Sequence, residues 1–124
     1  MTLRMAWGLL GGLLITLITV LSLIPMGPPP LAIPNGDKLN HALAYITLTW
    51  WFGQLWPARR RLYLVLALLG YGVLIELAQG QTGYRSADPE DVLANGVGIL
   101  LGLALLRTPA GRLYAWLDAR RPSP

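Results

Sequence analysis

Four long apolar stretches divide this chain, and each is bounded by prolines, glycines or arginines. They cover about residues 6–24, 39–56, 62–79 and 89–106. A helix needs about 20 predominantly apolar residues to cross a bilayer, and a helix satisfies its own backbone hydrogen bonds there. The spacing therefore predicts an all-α fold, an integral membrane bundle of four transmembrane helices.

The composition is wrong for a water-soluble globule. Charged residues make up 13% of the chain and hydrophobic residues 54%, whereas about 25% charged residues is usual in a soluble domain. A single domain of 124 residues could not bury so much apolar surface in a soluble core. The absence of cysteine excludes disulfides and thiolate chemistry. We therefore expect one transmembrane domain over residues 1–124.

The basic residues predict the orientation, because cytoplasmic loops carry the positive excess. Eight arginines flank the first stretch on its amino side, separate the second from the third, or follow the fourth: Arg4, Arg59, Arg60, Arg61, Arg107, Arg112, Arg120 and Arg121. We expect both termini to be cytoplasmic, with outward loops at 26–36 and 80–87. A cleaved signal peptide is the alternative for the first stretch. After the fourth apolar stretch, residues 108–121 have the pattern of a short interfacial helix.

Small residues indicate how such helices pack, since lipid-embedded helices associate through close contact at glycine and through interhelical hydrogen bonds. Gly98 and Gly102 are four residues apart on the fourth helix, as are Gly8 and Gly12 on the first, and Gly72 lies on the third. Each four-residue spacing places its pair on one helical face. We assign these glycines to packing.

Most of the other ionisable and amide residues collect at the predicted outer ends of helices two, three and four. Asp37 and His41 are four apart, and Glu76 and Gln79 are three apart. On the fourth helix the spacing of three and four makes a single stripe of Asp88, Asp91, Asn95, Gly98 and Gly102. This clustering predicts a polar site at the outer membrane boundary.

Glu76 is the most informative of these residues, because it interrupts an apolar run and a charge at membrane depth is costly unless it has partners. Structural readings stay open for its neighbours. Asp88, followed by Pro89, has the pattern of a helix N-cap, and Asn95 and Gln79 could be interhelical hydrogen-bonding groups. A metal site of His41 with carboxylates is the weaker interpretation, since one histidine without cysteine is a poor zinc ligand set. We expect no cofactor.

Taken together, the polar residues resemble the VanZ-like family over about residues 37–102. The resemblance lies in one set of positions: Asp37, Lys38, His41, Glu76, Gln79, Arg85, Asp91, Asn95, Gly98 and Gly102. It implies a bacterial cytoplasmic-membrane protein, and the family's founding member is associated with resistance to teicoplanin, a glycopeptide with a fatty acyl tail. The resemblance supplies no established reaction.

Three functions are compatible with this pattern. The first is a binding or shielding site for an envelope lipid head group or a lipophilic glycopeptide, formed by the polar residues from Asp37 to Asn95, in which Arg85 grips a phosphate or carboxylate. The second is an enzyme acting on a lipid-linked cell-wall intermediate, with His41, Glu76 and Asp91 as candidate catalytic residues. The third is a structural accessory subunit. We rank binding first, so enzymatic activity stays uncertain. Nucleic acid is not an expected partner, and the oligomeric state stays open.

Overall fold

A computed structural model of the chain describes residues 1–24, 36–83 and 88–122, and the side chains of residues 36 and 37 fall outside this description. It contains five α-helices: α1 (Leu3–Leu23), α2 (Gly36–Gly53), α3 (Arg61–Gln81), α4 (Pro89–Leu106) and α5 (Leu113–Ala119). Short 3₁₀ turns at Ala58–Arg60 and Pro109–Arg112 precede α3 and α5. The all-α prediction is confirmed for the described residues.

Within the described ranges, three helical segments are long and apolar enough to cross a membrane: Leu3–Leu23, Ala58–Gln81 and Pro89–Leu106. They correspond to the predicted first, third and fourth spans. The 18 residues of α2 begin with a polar segment that includes Lys38 and His41, which lowers its hydropathy. That α2 completes a four-helix transmembrane bundle stays a prediction.

Contacts between helix ends establish the up-and-down order. Trp7, near the start of α1, exchanges hydrogen bonds with Trp51, near the end of α2. Gln79, near the end of α3, donates to the carbonyl of Ser22 near the end of α1. Lys38 at the start of α2 contacts Asp88 at the start of α4. The helices α1 to α4 therefore alternate in direction. We call the end that contains the starts of α2 and α4 the polar end, and the opposite end the arginine end.

The parallel pair α2 and α4 is packed closely through glycine. A Cβ atom on Gly98 would collide with the carbonyl oxygen of Ala42 and lie 2.9 Å from the Cβ of Tyr45. One on Gly102 would lie 2.6 Å from the Cβ of Thr49. Both glycines are buried. The predicted glycine face of α4 thus lies directly against the backbone of α2.

Glycines on the other helices behave differently from one another. A Cβ on Gly72 of α3 would lie 2.6 Å from Asn95 Nδ2, so this position also makes a close contact. The packing role predicted for Gly8 and Gly12 is wrong, because a Cβ on either would have nothing within 4 Å. Gly11 makes the contact instead, with Phe52 only 2.7 Å from its Cβ position. The contact face of α1 is rotated by roughly 100° from the predicted one, one residue's step around a helix.

Aromatic side chains join the helices at the arginine end. The rings of Trp7 and Trp51 stack with centroids 4.0 Å apart, and each indole N–H donates to the other residue's carbonyl at 2.9 Å. Trp50 donates to the carbonyl of Ala110 at 2.9 Å, which ties the segment before α5 to α2. The predicted C-terminal helix is present as α5, and its position in the interface stays a prediction.

Candidate functional site at the polar end

Lys38 and His41 come from the first two turns of α2 and are three residues apart, which places them on neighbouring positions of one helical face. The Lys38 ammonium lies 2.7 Å from Asp88 Oδ2 and 2.8 Å from Asp91 Oδ1. It therefore bridges the first turn of α4 to α2. Glu90 is the outermost acidic group of this network, with Oε2 4.0 Å from the ammonium and a largely exposed side chain.

Asp88 begins α4 as its N-cap, as the sequence predicts. Its side chain accepts a hydrogen bond of 2.9 Å from the backbone N–H of Glu90, and Pro89 occupies the first helical position. The hydrogen bond from Lys38 and then the one from the Glu90 N–H hold the pKa of the Asp88 carboxyl below its ordinary value. The carboxylate is therefore favoured in its charged form in the folded protein.

The lowered pKa of Asp88 gives a pH dependence with a definite sign. Because the folded-state pKa lies below the unfolded value, the stabilising contribution is complete above about pH 4 and is lost as the pH falls through the folded-state pKa. In a carboxyl ¹³C NMR titration of the protein in detergent, we expect Asp88 to titrate below ordinary aspartate. Lys38→Met should raise that pKa, whereas Lys38→Arg should keep it low. An unchanged Asp88 titration in Lys38→Met would contradict the assignment.

Glu76 reaches the same cluster from the last turns of α3. Its side chain is 6% exposed, and Oε2 accepts a hydrogen bond of 2.9 Å from the backbone N–H of Asp88. The expectation that this carboxylate has companions is confirmed for Oε2. Among the described residues, Oε1 is buried without a hydrogen-bond partner.

His41 lies between α3 and α4. Its Nδ1 is 3.0 Å from Asn95 Oδ1, and an amide oxygen can only accept, so Nδ1 carries the hydrogen. Its Nε2 faces two carboxylates, with Asp91 Oδ2 at 3.4 Å and Glu76 Oε1 at 4.0 Å. One nitrogen of the ring is therefore oriented by Asn95, and the other points into a group of oxygen atoms.

The described structure brings together five of the residues that the sequence singled out: Lys38, His41, Glu76, Asp91 and Asn95. Gln79 is oriented elsewhere, because its amide donates to the Ser22 carbonyl of α1 at 2.8 Å. Arg85 and the side chain of Asp37 lie outside the described residues. The cluster is thus formed by three helices, and Gln79 ties the fourth helix, α1, beside it.

Sequence reasoning missed that Lys38 bridges two acidic groups of α4 and that His41 is paired with Asn95. The sequence contained only part of the information needed to predict these contacts. Asp88, Asp91 and Asn95 were correctly placed on one face of α4. Which residues of α2 lie opposite them depends on the relative height of two helices some 50 residues apart in the chain, and neither helix's own periodicity contains that information.

Helices of membrane-spanning length and hydropathy, with a polar cluster at one end, indicate a small helical membrane protein. The model of the VanZ/LLP1 family matches residues 14–110, so the chain belongs to this family. The match includes all five clustered residues and also part of α1. Comparisons with curated proteins and with solved structures gave no significant match.

Proposed function

We propose that the polar end binds the head group of an envelope lipid or the polar part of a lipophilic glycopeptide antibiotic. The observation that carries this proposal is the convergence of Lys38, His41, Glu76, Asp91 and Asn95 from three helices at one end of membrane-length segments. Polar residues at such positions are costly to a membrane protein and are functional candidates by default. At the end of a membrane-spanning helix, a lipid can present its head group to the polar cluster while its acyl chains stay in the hydrocarbon.

The chemistry of the cluster suits a head group that carries both signs of charge. Glu76 and Asp91 supply carboxylate oxygens for an amine or another cationic group, while Lys38 supplies an ammonium. Arg85 precedes α4 by only four residues in the sequence, and its planar guanidinium is suited to a phosphate or carboxylate. The proposal assigns Arg85 to the anionic group and the carboxylates to the cationic one.

The proposed location is the bacterial cytoplasmic membrane, with the polar end outward and both termini cytoplasmic. The distribution of charge supports this orientation. Arg4, Arg59 and Arg107 are exposed at the arginine end, opposite the acidic cluster, and positive residues are enriched on the cytoplasmic side. An outward site would be placed where envelope lipids and externally added glycopeptides are encountered. In the cell, we propose that this binding contributes to teicoplanin resistance.

Lipid binding by the full-length protein in detergent provides the test. Native mass spectrometry with added phosphatidylethanolamine or phosphatidylglycerol measures the bound fraction, in buffer with EDTA. We expect Arg85→Ala to weaken binding about 10- to 100-fold, because hydrogen bonds to charged groups contribute about 1.5–3 kcal/mol. Arg59→Ala, the same change at the arginine end, should leave it unchanged.

The outcomes separate the candidate functions. Equal binding by Arg85→Ala and the parent protein, together with unaltered teicoplanin susceptibility of cells that express them equally, would contradict the proposal. A covalently altered lipid mass would instead favour the enzymatic alternative, which the approach of His41 Nε2 to Asp91 Oδ2 at 3.4 Å keeps open. A loss of protein amount alone would favour the structural one.

A further inference from the structure

Three side-chain atoms with lone pairs point toward one another in the cluster. They are His41 Nε2, Glu76 Oε1 and Asp91 Oδ2, from α2, α3 and α4 respectively. One ligand atom from each of the three residues lies within 4.8 Å of the others. Because Nδ1 of His41 carries the ring hydrogen toward Asn95, Nε2 of the neutral ring is an acceptor. Three acceptors facing one another repel unless a proton or a metal cation lies between them.

The second polar atom of each of these three side chains is fixed by a separate donor or acceptor. Asn95 Oδ1 holds Nδ1 of His41, the Asp88 N–H holds Oε2 of Glu76, and the Lys38 ammonium holds Oδ1 of Asp91. Metal-ligating histidines and carboxylates are oriented in this way by partners outside the coordination sphere. The cluster therefore has both a set of converging atoms and the supporting contacts that fix their direction.

An independent observation comes from Glu76. Its side chain is 6% exposed, and its Oε1 is fully buried with no donor at hydrogen-bonding distance among the described residues. Beside it lies the Asp91 carboxyl, which can pair with Glu76 only through a shared proton or a bound cation. A buried polar atom without a partner is destabilising, and such atoms are rare in native proteins. This oxygen is directed toward His41 Nε2 at 4.0 Å, which is the interior of the cluster. A proton or a metal cation at that position would supply its partner.

We propose that His41, Glu76 and Asp91 form a binding site for a divalent first-row transition-metal cation. One imidazole nitrogen with two carboxylate oxygens suits Mn²⁺ or Fe²⁺ better than Zn²⁺, for which a single histidine without cysteine is a poor ligand set. Atoms about 2.1 Å from a tetrahedral ion are about 3.4 Å apart, and His41 Nε2 and Asp91 Oδ2 are 3.4 Å apart. Glu76 Oε1 needs to approach by roughly half an ångström. Three protein ligands leave a position for water or for an anionic group.

This inference goes beyond head-group binding and does not depend on it. The cation would neutralise the acidic cluster and offer its open position to a phosphate, but its binding is measurable without any lipid. The full-length protein in a non-ionic detergent, treated with chelator and dialysed, is titrated separately with Mn²⁺ and Zn²⁺. Electron paramagnetic resonance measures free Mn²⁺, and calorimetry measures Zn²⁺ binding.

We expect one equivalent of at least one of the two ions to bind. Glu76→Gln keeps the side-chain shape but removes the anionic ligand, and it should weaken binding by at least about 100-fold. Asp91→Asn should act in the same direction. Asn95→Ala removes the partner that orients His41 and should weaken binding by about 10- to 100-fold, the range measured for such supporting residues.

Glu90→Gln is the matched control for Glu76→Gln, because it removes the same charge from a position just outside the cluster without removing a ligand. Glu90 is largely exposed and touches the network only at 4.0 Å from Lys38. Its substitution should change the affinity less than about threefold, since screening by water weakens exposed charges. Circular dichroism and size-exclusion profiles establish that each variant is folded before its titration, and Asp91→Asn serves where Glu76→Gln is not folded.

The proposal would be overturned by three results. One is the absence of stoichiometric binding of either ion to the folded parent protein, which would mean that protons are shared among the three groups. Another is binding that Glu76→Gln and Asp91→Asn weaken less than about tenfold. A third is an equal effect of Glu90→Gln, which would show diffuse attraction to acidic residues. None of these results would change the lipid-binding measurement in EDTA.

Discussion

Gly98→Leu is expected to abolish accumulation of the folded protein. Any side chain at this position collides with the backbone carbonyl of Ala42 and also approaches Tyr45. A backbone atom cannot move aside as a flexible side chain can, so α2 and α4 must separate. Overpacking a dense core typically destabilises a protein by about 1–3 kcal/mol, and occasionally by more. Because the leucine would press against a backbone, we expect a destabilisation near the top of this range. Loss of this contact also separates His41 from Asn95.

Gly96→Leu is the matched control for Gly98→Leu, because a Cβ on Gly96 of the same helix has nothing within 4 Å. It should express like the parent protein. The measurements are the yield of monodisperse protein after detergent extraction and the thermal transition followed by circular dichroism. Equal yields and transitions for Gly98→Leu and the parent would show that the close α2–α4 approach is wrong.

The positions of the helices were largely predictable from the sequence. The predicted stretch 89–106 coincides with α4, Pro89–Leu106, because Asp88 and Pro89 form a local start signal. The first helix begins three residues earlier than predicted, at Leu3. There the side chain of Thr2 caps it by accepting from the Met5 N–H at 3.1 Å. The predicted start was set by the apolar stretch, which begins after this cap, and so the cap was not predicted.

The face by which a helix contacts its neighbours was predictable only where polar residues or glycines interrupt the apolar stretch. On α4 the polar and glycine positions recur every three to four residues, and the structure buries Asp91, Asn95, Gly98 and Gly102 on that face. Almost every position of α1 is apolar or small, so its periodicity does not distinguish a lipid face from a helix face. The prediction for Gly8 and Gly12 failed for this reason.

The residues of the site were more predictable than their pairing. Glu76 was expected to need partners because ionisable groups are costly in hydrocarbon, and it has one in the Asp88 N–H. That partner is a backbone group, which no pattern of side chains specifies. Gln79 was grouped with Glu76 because they are three apart, yet it reaches the Ser22 carbonyl. A three-residue step rotates a helix by about 300°, enough to direct neighbouring residues toward different helices.

Lys38→Met is expected to be more destabilising than the loss of one surface ion pair. The ammonium contacts Asp88 and Asp91 at 2.7 and 2.8 Å, and the Asp91 side chain is only 10% exposed. Without it, Asp91 keeps its charge close to Glu76 with no ammonium between the helices. Removing one partner of a buried ion pair typically costs about 3–5 kcal/mol, because the remaining charge is uncompensated. We expect Lys38→Met to lower the free energy of unfolding by about 3 kcal/mol, the low end of this range, because the Lys38 side chain is 20% exposed. Lys38→Arg should recover most of it.

A double variant distinguishes uncompensated charge from simple loss of side-chain packing. If Asp91 is destabilised by losing its cation, Lys38→Met combined with Asp91→Asn should be more stable than Lys38→Met alone, because no charge is then left buried. Contacting charges typically show coupling of about 0.5–3 kcal/mol in such cycles. Thermal transitions of the four proteins in detergent at neutral pH, with EDTA present, provide the cycle. If the destabilisations instead add, Lys38 contributes through its aliphatic stem, and the acidic cluster is not balanced by its charge.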